Sequence, residues 1–211
     1  MFIELVDALR CPVPHEERWL VASATRTEAR HIVEGLLGCP VCRAEYPVHR
    51  GVVDFRRSTP NDASAPPAPL ADREQATRLA AFLDLSDSLG FAVLIGAWCA
   101  QASVLREIVE TPLVLVDPPP GVEGEPGVSV IRCDGALPLA VGAARGVAMD
   151  DAGPARAASA VRATRVAGRL VAPVTVPRPD GVRELARDAE LWVGEKEPAA
   201  SPLITLHVRR G

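Results

Sequence analysis

The sequence FAVLIGAWCAQASVLREIVETPLVLVD, residues 91–117, decides the fold. Its apolar run 91–95 ends at a glycine, which is typical of a strand covered on both faces in a parallel sheet. Residues 104–109 then place apolar side chains at helical spacing, Pro112 ends this helix, and a second apolar run follows. Because that run ends at Asp117, the stretch predicts a strand–helix–strand unit with an acid where a nucleotide ribose can bind.

The composition bounds the class of protein. The chain has 211 residues, 48% of them hydrophobic, which suffices for one ordinary domain plus a small accessory one. A net charge of -4 offers no general attraction for nucleic acid or an anionic membrane. No window reaches the roughly 18 uncharged apolar residues that a membrane span needs, so we expect a cytoplasmic protein. Five cysteines, three of them in the first quarter, favour metal binding over a disulfide framework.

The first quarter contains a potential metal site. The sequence Cys-Pro-Val-Cys, from Cys39 to Cys42, is typical of a metal knuckle in which two thiolates hold one ion. A closed tetrahedral site needs two more ligands, and Cys11 with His15 is the pair available on the N-terminal side. We therefore predict structural zinc at these four residues. The two remaining histidines of this segment, His31 and His49, are expected to be solvated loop residues. The alternative is a ribbon that has lost its metal and is stabilised by its small hydrophobic core alone.

This segment resembles a known family, the small zinc-ribbon proteins that serve as a shared activating subunit of tRNA and translation-factor methyltransferases, together with their short bacterial relatives. The matching residues are Leu9, Cys11, Pro12, Cys39, Pro40, Cys42, Tyr46, Pro47, Val48, Gly51 and Val52. Pro14 stands where the common bacterial pattern has its second cysteine, and His15 is inferred from spacing to replace it. The resemblance implies that the ribbon covers a sheet edge or apolar patch, either of its own second domain or of another subunit.

The chain divides into three parts. Residues 1–55 form the predicted zinc-ribbon-like domain, residues 56–70 a Pro/Ala-rich tether, and residues 71–211 an α/β domain. The strands predicted in the last part are 91–95, 113–116, 128–131, 145–149, 169–174, 190–193 and 203–208. Helices are predicted around 76–85, 104–109, 155–166 and 182–187. Strands alternating with helices predict a seven-stranded, doubly wound, Rossmann-like sheet.

The order of these elements resembles the class I S-adenosylmethionine-dependent methyltransferase fold. The correspondences are Asp117 closing the second strand, Asp134 after the third, followed by Ala-Leu-Pro-Leu, and Asp150 ending the fourth. The resemblance implies that Asp117 would bind the ribose hydroxyls of S-adenosylmethionine and Asp134 its adenine amine, while Asp150 would line the substrate side.

The first loop departs from the family pattern. That pattern is an acid followed by Gly-x-Gly-x-Gly, which lets the backbone approach the cofactor closely. Here the acid is absent, Gly96 is the one glycine that remains, and Trp98 brings a bulky side chain to the loop. Pro118, Pro119 and Pro120 alter the ribose side and remove amide donors. We therefore predict no catalytic residue, and expect Gly96, Asp117 and Asp134 to bind S-adenosylmethionine only if the cofactor binds at all.

Three functions stay open. The leading interpretation is a non-catalytic, methyltransferase-like protein with a zinc ribbon, acting as a protein partner or scaffold, with self-association included. The alternative is an active S-adenosylmethionine-dependent methyltransferase with an unusual loop. A ribbon that binds RNA is a weaker alternative, because the basic residues of the first segment are scattered. These basic residues are Arg26, Arg30, Arg43, Arg50, Arg56 and Arg57. Cys99, Cys133 and Trp192 are predicted to be packed side chains.

Overall fold

The computed structural model describes residues 1–16, 18–56, 70–119, 122, 124–150 and 153–199. Its strands are β1 (Val21–Glu28), β2 (His31–Gly38), β3 (Glu45–His49), β4 (Val52–Asp54), β5 (Ala92–Ile95), β6 (Leu113–Val116), β7 (Val128–Arg132), β8 (Ala144–Ala148), β9 (Thr164–Pro173), β10 (Val182–Arg187) and β11 (Leu191–Lys196). The helices are α1 (Leu5–Ala8), α2 (Arg73–Phe82), α3 (Ala102–Ile108) and α4 (Pro154–Ala163), with a 3-10 helix at Gly96–Gln101. No helix in these residues is both long and apolar enough to cross a membrane.

All the described strands belong to one mixed sheet of eleven strands, in the order β1-β2-β3-β4-β7-β6-β5-β8-β9-β11-β10. Strands β7, β6, β5, β8 and β9 are parallel to one another, whereas β11 pairs antiparallel with β9 and β10 pairs antiparallel with β11 at one end of the sheet. The chain order reverses between β5 and β8, so the crevice outside their carboxyl ends is the expected ligand position of a doubly wound sheet.

The central strand β5 is covered on both faces, as its unbroken apolar run predicts. Val93 and Ile95 belong to a core cluster shared with α4 and the first segment of the chain. Ala92 and Leu94 point to the other face, into a cluster with residues of α2 and α3. The alternation of side chains along a strand therefore builds two cores on one sheet.

The first segment extends this sheet. Strand β4 pairs parallel with β7, with Val53 opposite Ile131, and the Phe55 amide donates to the Arg132 carbonyl at 2.7 Å. Val53 is fully buried and lies in the same core cluster as Val93 of β5. The first segment is thus joined to the α/β part by the hydrogen bonds between β4 and β7 and by a common hydrophobic core. The division at residues 56–70 remains a prediction, and 57–69 lie outside the described residues.

The second part of the chain differs from the prediction at its end. Residues Val182–Arg187, predicted as a helix, form strand β10 and pair antiparallel with β11. The spacing of Val182 and Leu185 suits a helix, but sheet pairing overrides this local preference. The predicted strand 203–208 lies outside the described residues. The seven-stranded count is therefore not confirmed as predicted: the described residues of this part contribute β5 to β11, of which β10 replaces a predicted helix, and β1 to β4 of the first segment extend the same sheet to eleven strands.

The first segment contributes four of the described strands. The largely polar residues Val21–Glu28 form β1, which pairs in a hairpin with β2, with Glu28 opposite His31. The prediction that His31 is solvated is wrong, because its side chain is buried at the start of β2. His49 is exposed, although it lies in β3, where it contacts the Glu34 carboxylate at 2.9 Å. The sequence of β1 lacks the alternation of apolar and polar residues that indicates a strand, because β1 is exposed on both faces.

Candidate metal centre and nucleotide crevice

The loop after β5 places Gly96 against an acid. Gly96 has φ of +65°, a left-handed conformation that glycine adopts without strain, and a Cβ there would meet the carboxylate of Asp150. Asp150 follows β8 across the switch point, and its Oδ2 accepts a hydrogen bond from the Ala97 amide at 2.5 Å. The backbone that would approach a ligand in the doubly wound fold is therefore engaged by a side chain of this chain.

Trp98 does not lie over Gly96 as its position in the loop suggested. Its side chain is 6% exposed and belongs to the core cluster between the sheet and helices α2 and α3. Its indole Nε1 has no hydrogen-bond partner among the described residues. The bulk of Trp98 thus fills the helical layer, and the Asp150 carboxylate is the group at the glycine.

Asp117, the acid expected to bind ribose, is held by an arginine. Arg156 of α4 donates from its NH1 to Asp117 Oδ2 at 2.6 Å, and the Cys133 amide donates to Oδ1 at 2.9 Å. The same guanidinium donates to the carbonyls of Cys133 and Gly135, each at 2.9 Å. Arg156 therefore ties the carboxyl ends of β6 and β7 to α4.

Asp134 stands in the sequence between the two residues whose carbonyls Arg156 binds, and it also lines two clefts beside the first segment. It lines a cleft of about 770 Å³ between the metal knuckle and the end of β4, and also a second cleft of about 380 Å³ beside Arg10 and Arg162. Gly96, Asp117 and Asp150 line neither of these clefts. The structure thus brings Gly96 together with Asp150, and Asp117 together with Arg156, but places Asp134 toward the first segment.

The cysteines near the crevice are packed thiols. Burial raises the pKa of Cys99 to about 12 and that of Cys133 to about 12, with the negative charge of Asp117 acting in the same direction on both. The Cys99 thiol also donates to the Leu94 carbonyl at 3.2 Å. Neither thiol is ionised near neutral pH, so neither has the thiolate character of a nucleophile. Trp192 is likewise buried, and its Nε1 donates to the Val176 carbonyl at 2.8 Å.

The four predicted metal ligands come together at one point. The ligand atoms of Cys11, His15, Cys39 and Cys42 all lie within 4.8 Å of one another. The sulfurs of Cys11 and Cys42 are 3.6 Å apart, and the Cys39 sulfur is 3.3 Å from His15 Nε2. In a tetrahedral zinc site, bond lengths of about 2.0 to 2.3 Å place ligand atoms about 3.6 to 3.8 Å apart. The three-sulfur, one-nitrogen set therefore fits a tetrahedral metal ion.

Backbone amides favour the thiolate form of one cysteine in this cluster. Burial acts to raise the pKa of Cys39, but hydrogen bonds from the amides of Cys42 and Val41 lower it to about 7. At Cys11, burial prevails and raises the pKa, against the lowering effect of the Tyr46 hydroxyl and the Val13 amide. Metal binding requires deprotonated sulfur. A bound cation would therefore stabilise the Cys11 thiolate, which the surrounding protein groups do not favour.

Three of the six basic residues proposed for RNA contact lie against acidic side chains. Arg30 bonds the Glu4 carboxylate, Arg56 bonds Asp54 with NH2 to Oδ2 at 2.7 Å, and Arg26 lies 3.7 Å from Glu34. Arg57 lies outside the described residues. Because acids offset these arginines locally, the described surface of the first segment does not concentrate positive charge at them.

Sequence reasoning missed two residues of these sites, Arg156 and Tyr46 in its contact with Cys11. Arg156 is 39 residues from Asp117, and nothing local relates the two. An arginine near the start of a helix that follows the Asp150 strand was the available signal. Tyr46 was noted as part of a motif, but its hydroxyl contact at 3.2 Å to the Cys11 sulfur depends on the β2–β3 ladder.

Comparison with known proteins assigns no family to this chain. No protein-family model matches, and no curated protein matches. A solved structure of a Corynebacterium glutamicum protein is similar at 17% identity and a TM-score of 0.43, over 63% of this chain and 85% of that one. A Galdieria sulphuraria protein provisionally named a sarcosine dimethylglycine methyltransferase is similar at 12% identity and a TM-score of 0.40, over 47% of this chain and 45% of that one.

This chain thus spans less than half of the Galdieria protein. Likenesses at this level say nothing about activity. The large mixed sheet, its reversal of strand order at β5 and β8 and its helices on both faces are consistent with a methyltransferase-like α/β fold. Function has to be inferred from the chain's own residues.

Proposed function

We propose that this chain is a non-catalytic, methyltransferase-like protein that binds zinc through Cys11, His15, Cys39 and Cys42 and works as a protein partner or scaffold in the cytoplasm. The observation that carries the proposal is the occupation of the nucleotide crevice by the chain's own side chains. Asp150 bonds the amide next to Gly96, and Arg156 bonds Asp117.

The cost of displacing these groups argues against a bound methyl donor. A ribose that binds Asp117 has to replace the charge-assisted hydrogen bond between Arg156 and Asp117. The Arg156 guanidinium then loses its carboxylate acceptor, although it still donates to the carbonyls of Cys133 and Gly135. At Gly96, a ligand carboxylate would meet the negative charge of Asp150 where the family pattern offers free amides. Both subsites thus disfavour S-adenosylmethionine.

Zinc would have a structural role. A site with three cysteines and one histidine leaves no open position for substrate, so the ion would stabilise the loops rather than supply Lewis-acid chemistry. The zinc-ribbon likeness of this segment to methyltransferase activators fits that role, and here β4 pairs with β7 of the same chain. Among the described strands, β1 pairs only with β2, so its outer edge is the place where a protein partner can add to the sheet.

Titration calorimetry with S-adenosylmethionine and with S-adenosylhomocysteine tests the proposal. We expect no saturable heat at micromolar ligand with the wild-type chain. The double variant Asp150→Ala/Arg156→Ala removes both occupants and is expected to gain weak binding, whereas Arg162→Ala, on an exposed position of the same helix, is the matched control. Micromolar binding by the wild-type chain would contradict the proposal.

The second candidate is an active methyltransferase, favoured by the position of Asp117, Asp134 and Asp150 shortly after β6, β7 and β8, three strands of the parallel part of the sheet. In that case Arg156 and Asp150 would have to move on binding. Wild-type affinity for S-adenosylhomocysteine in the calorimetric titration separates this candidate from the scaffold.

A further inference from the structure

The three cysteines of the metal cluster are not equivalent in their surroundings. The Cys39 sulfur lies 3.3 Å from His15 Nε2. The Cys11 sulfur lies 3.6 Å from the Cys42 sulfur and 3.2 Å from the Tyr46 hydroxyl. Cys42 is exposed. Among the described residues, Cys11 is the cysteine of this cluster with a hydroxyl in hydrogen-bond contact.

The Tyr46 hydroxyl is held in place by the sheet. Tyr46 pairs with Leu37 across the β2–β3 ladder, and its side chain is 8% exposed. Its ring packs on the Phe55 ring with centroids 4.6 Å apart, and the Phe55 amide is bonded to the Arg132 carbonyl of β7. The ring therefore cannot turn away from Cys11 without disturbing the junction of β4 and β7.

Once a metal is bound, the hydrogen bond between the Tyr46 hydroxyl and the Cys11 sulfur can run in one direction only. A thiolate carries no proton, so the phenol has to donate and Cys11 to accept. Three thiolates and a neutral imidazole around a divalent ion carry a net charge of -1, and a buried charge of this kind is stabilised by donors to the sulfurs. Groups that hydrogen-bond a metal ligand orient it and strengthen its hold on the ion.

We propose that Tyr46 is the positioning residue of the metal centre: its hydroxyl, rather than its ring, holds the Cys11 thiolate for the metal. The inference rests on the proposed metal site. It also links that site to the β4–β7 junction, because the residue that donates to Cys11 packs on the residue that follows β4. Metal affinity should consequently depend on a hydrogen bond donated from the sheet.

The test uses the full chain and two variants of the same aromatic pair. Tyr46→Phe keeps the ring and deletes the hydroxyl, whereas Phe55→Leu disturbs the ring packing and keeps the hydroxyl. Zinc affinity is measured by competition with a chromophoric chelator, and the sulfur-to-metal charge-transfer band is recorded after substitution with Co²⁺. We expect Tyr46→Phe to bind zinc about 10- to 100-fold more weakly, with a shifted band, and Phe55→Leu to lower the melting temperature with a smaller loss of affinity.

Two failures are distinguishable. If the wild-type chain takes up neither zinc nor cobalt, the proposed metal site is wrong and the role of Tyr46 falls with it. If the wild-type chain binds metal and Tyr46→Phe matches its affinity and spectrum, the metal site stands and the inference about Tyr46 is overturned. An affinity loss in Phe55→Leu equal to that in Tyr46→Phe would also overturn it, because packing alone would then explain both.

Discussion

The carboxylate of Asp150 occupies the position next to the glycine of the loop after β5. From its position, Asp150 was expected to line the substrate side of a cofactor site, and Trp98 to obstruct the loop. In the folded chain the Asp150 carboxylate meets Gly96, and Trp98 is buried in the helical layer. The group next to the loop glycine is therefore a negatively charged side chain of this chain and not the indole.

A second acid, Asp54, contributes to stability in a pH-dependent way. Its pKa is raised by burial, but the hydrogen bonds and charge of Arg56 outweigh burial and lower it below the ordinary 3.8. A carboxyl whose pKa is lower in the folded state stabilises the fold above its unfolded pKa, and this contribution is lost as the pH falls through the folded value. The ion pair is partly shielded, with Arg56 9% and Asp54 29% exposed.

We expect Asp54→Asn to lower the free energy of unfolding by about 1 kcal/mol at pH 7, and the deficit to shrink as the pH falls below 3.8. Urea unfolding of the wild-type and variant chains, purified alike and compared at pH 7 and at pH 3, measures both values. Asp180→Asn, an exposed acid, is the control and should change stability by less than about 0.5 kcal/mol. A deficit of equal size at both pH values would contradict the assignment.

At the scale of elements, the three-residue strand β4 carries the connection between the first segment and the parallel sheet. It lies between β3 and β7, and its central residue Val53 is fully buried. A strand this short is held by its neighbours and by burial rather than by its own propensity. A charge at Val53 should therefore separate the first segment from β7.

We expect Val53→Asp to lower the free energy of unfolding by more than about 3 kcal/mol, because an unpaired carboxylate would be buried in the core. Val21→Asp, at the 50% exposed start of β1, provides the control and should cost less than about 0.5 kcal/mol. Denaturant unfolding followed by tryptophan fluorescence compares them. Equal stability of the two variants would mean that β4 does not pack against β7.

Strand β10 illustrates where local spacing misleads. Its sequence VRELAR has helical spacing, yet Asp188 turns the chain by accepting the amides of Glu190 and Leu191, each at 2.8 Å. The turn brings β10 alongside β11, whose Trp192 is anchored to the Val176 carbonyl. The hairpin was not predictable from periodicity because its stabilising contacts lie outside the segment.

At the scale of the whole molecule, metal loss is expected to affect the entire chain. The first segment shares a core cluster with β5 and α4, so its loosening removes contacts from the central sheet. A structural zinc site can contribute on the order of 10 kcal/mol to folding.

We expect treatment with a strong zinc chelator to lower the melting temperature of the purified chain in one cooperative transition, and added zinc to restore it. Differential scanning calorimetry with and without chelator measures this, and Cys42→Ser provides a variant that should show no response. Two separate transitions, with the upper one unchanged by chelator, would instead support the predicted division into independent domains.

The sequence by itself determined the strand–helix–strand unit at residues 91–117, the acid Asp117 that closes its second strand and the identity of four candidate metal ligands. Apolar runs, proline and glycine breaks and Cys-x2-Cys spacing are local properties, so they can be read without the fold. Only the tertiary structure decided that Arg156 holds Asp117, that Asp150 meets Gly96 and that His31 is buried. These contacts join residues that are far apart in the chain, and the order of strands in the sheet, which no local period encodes, brings them together.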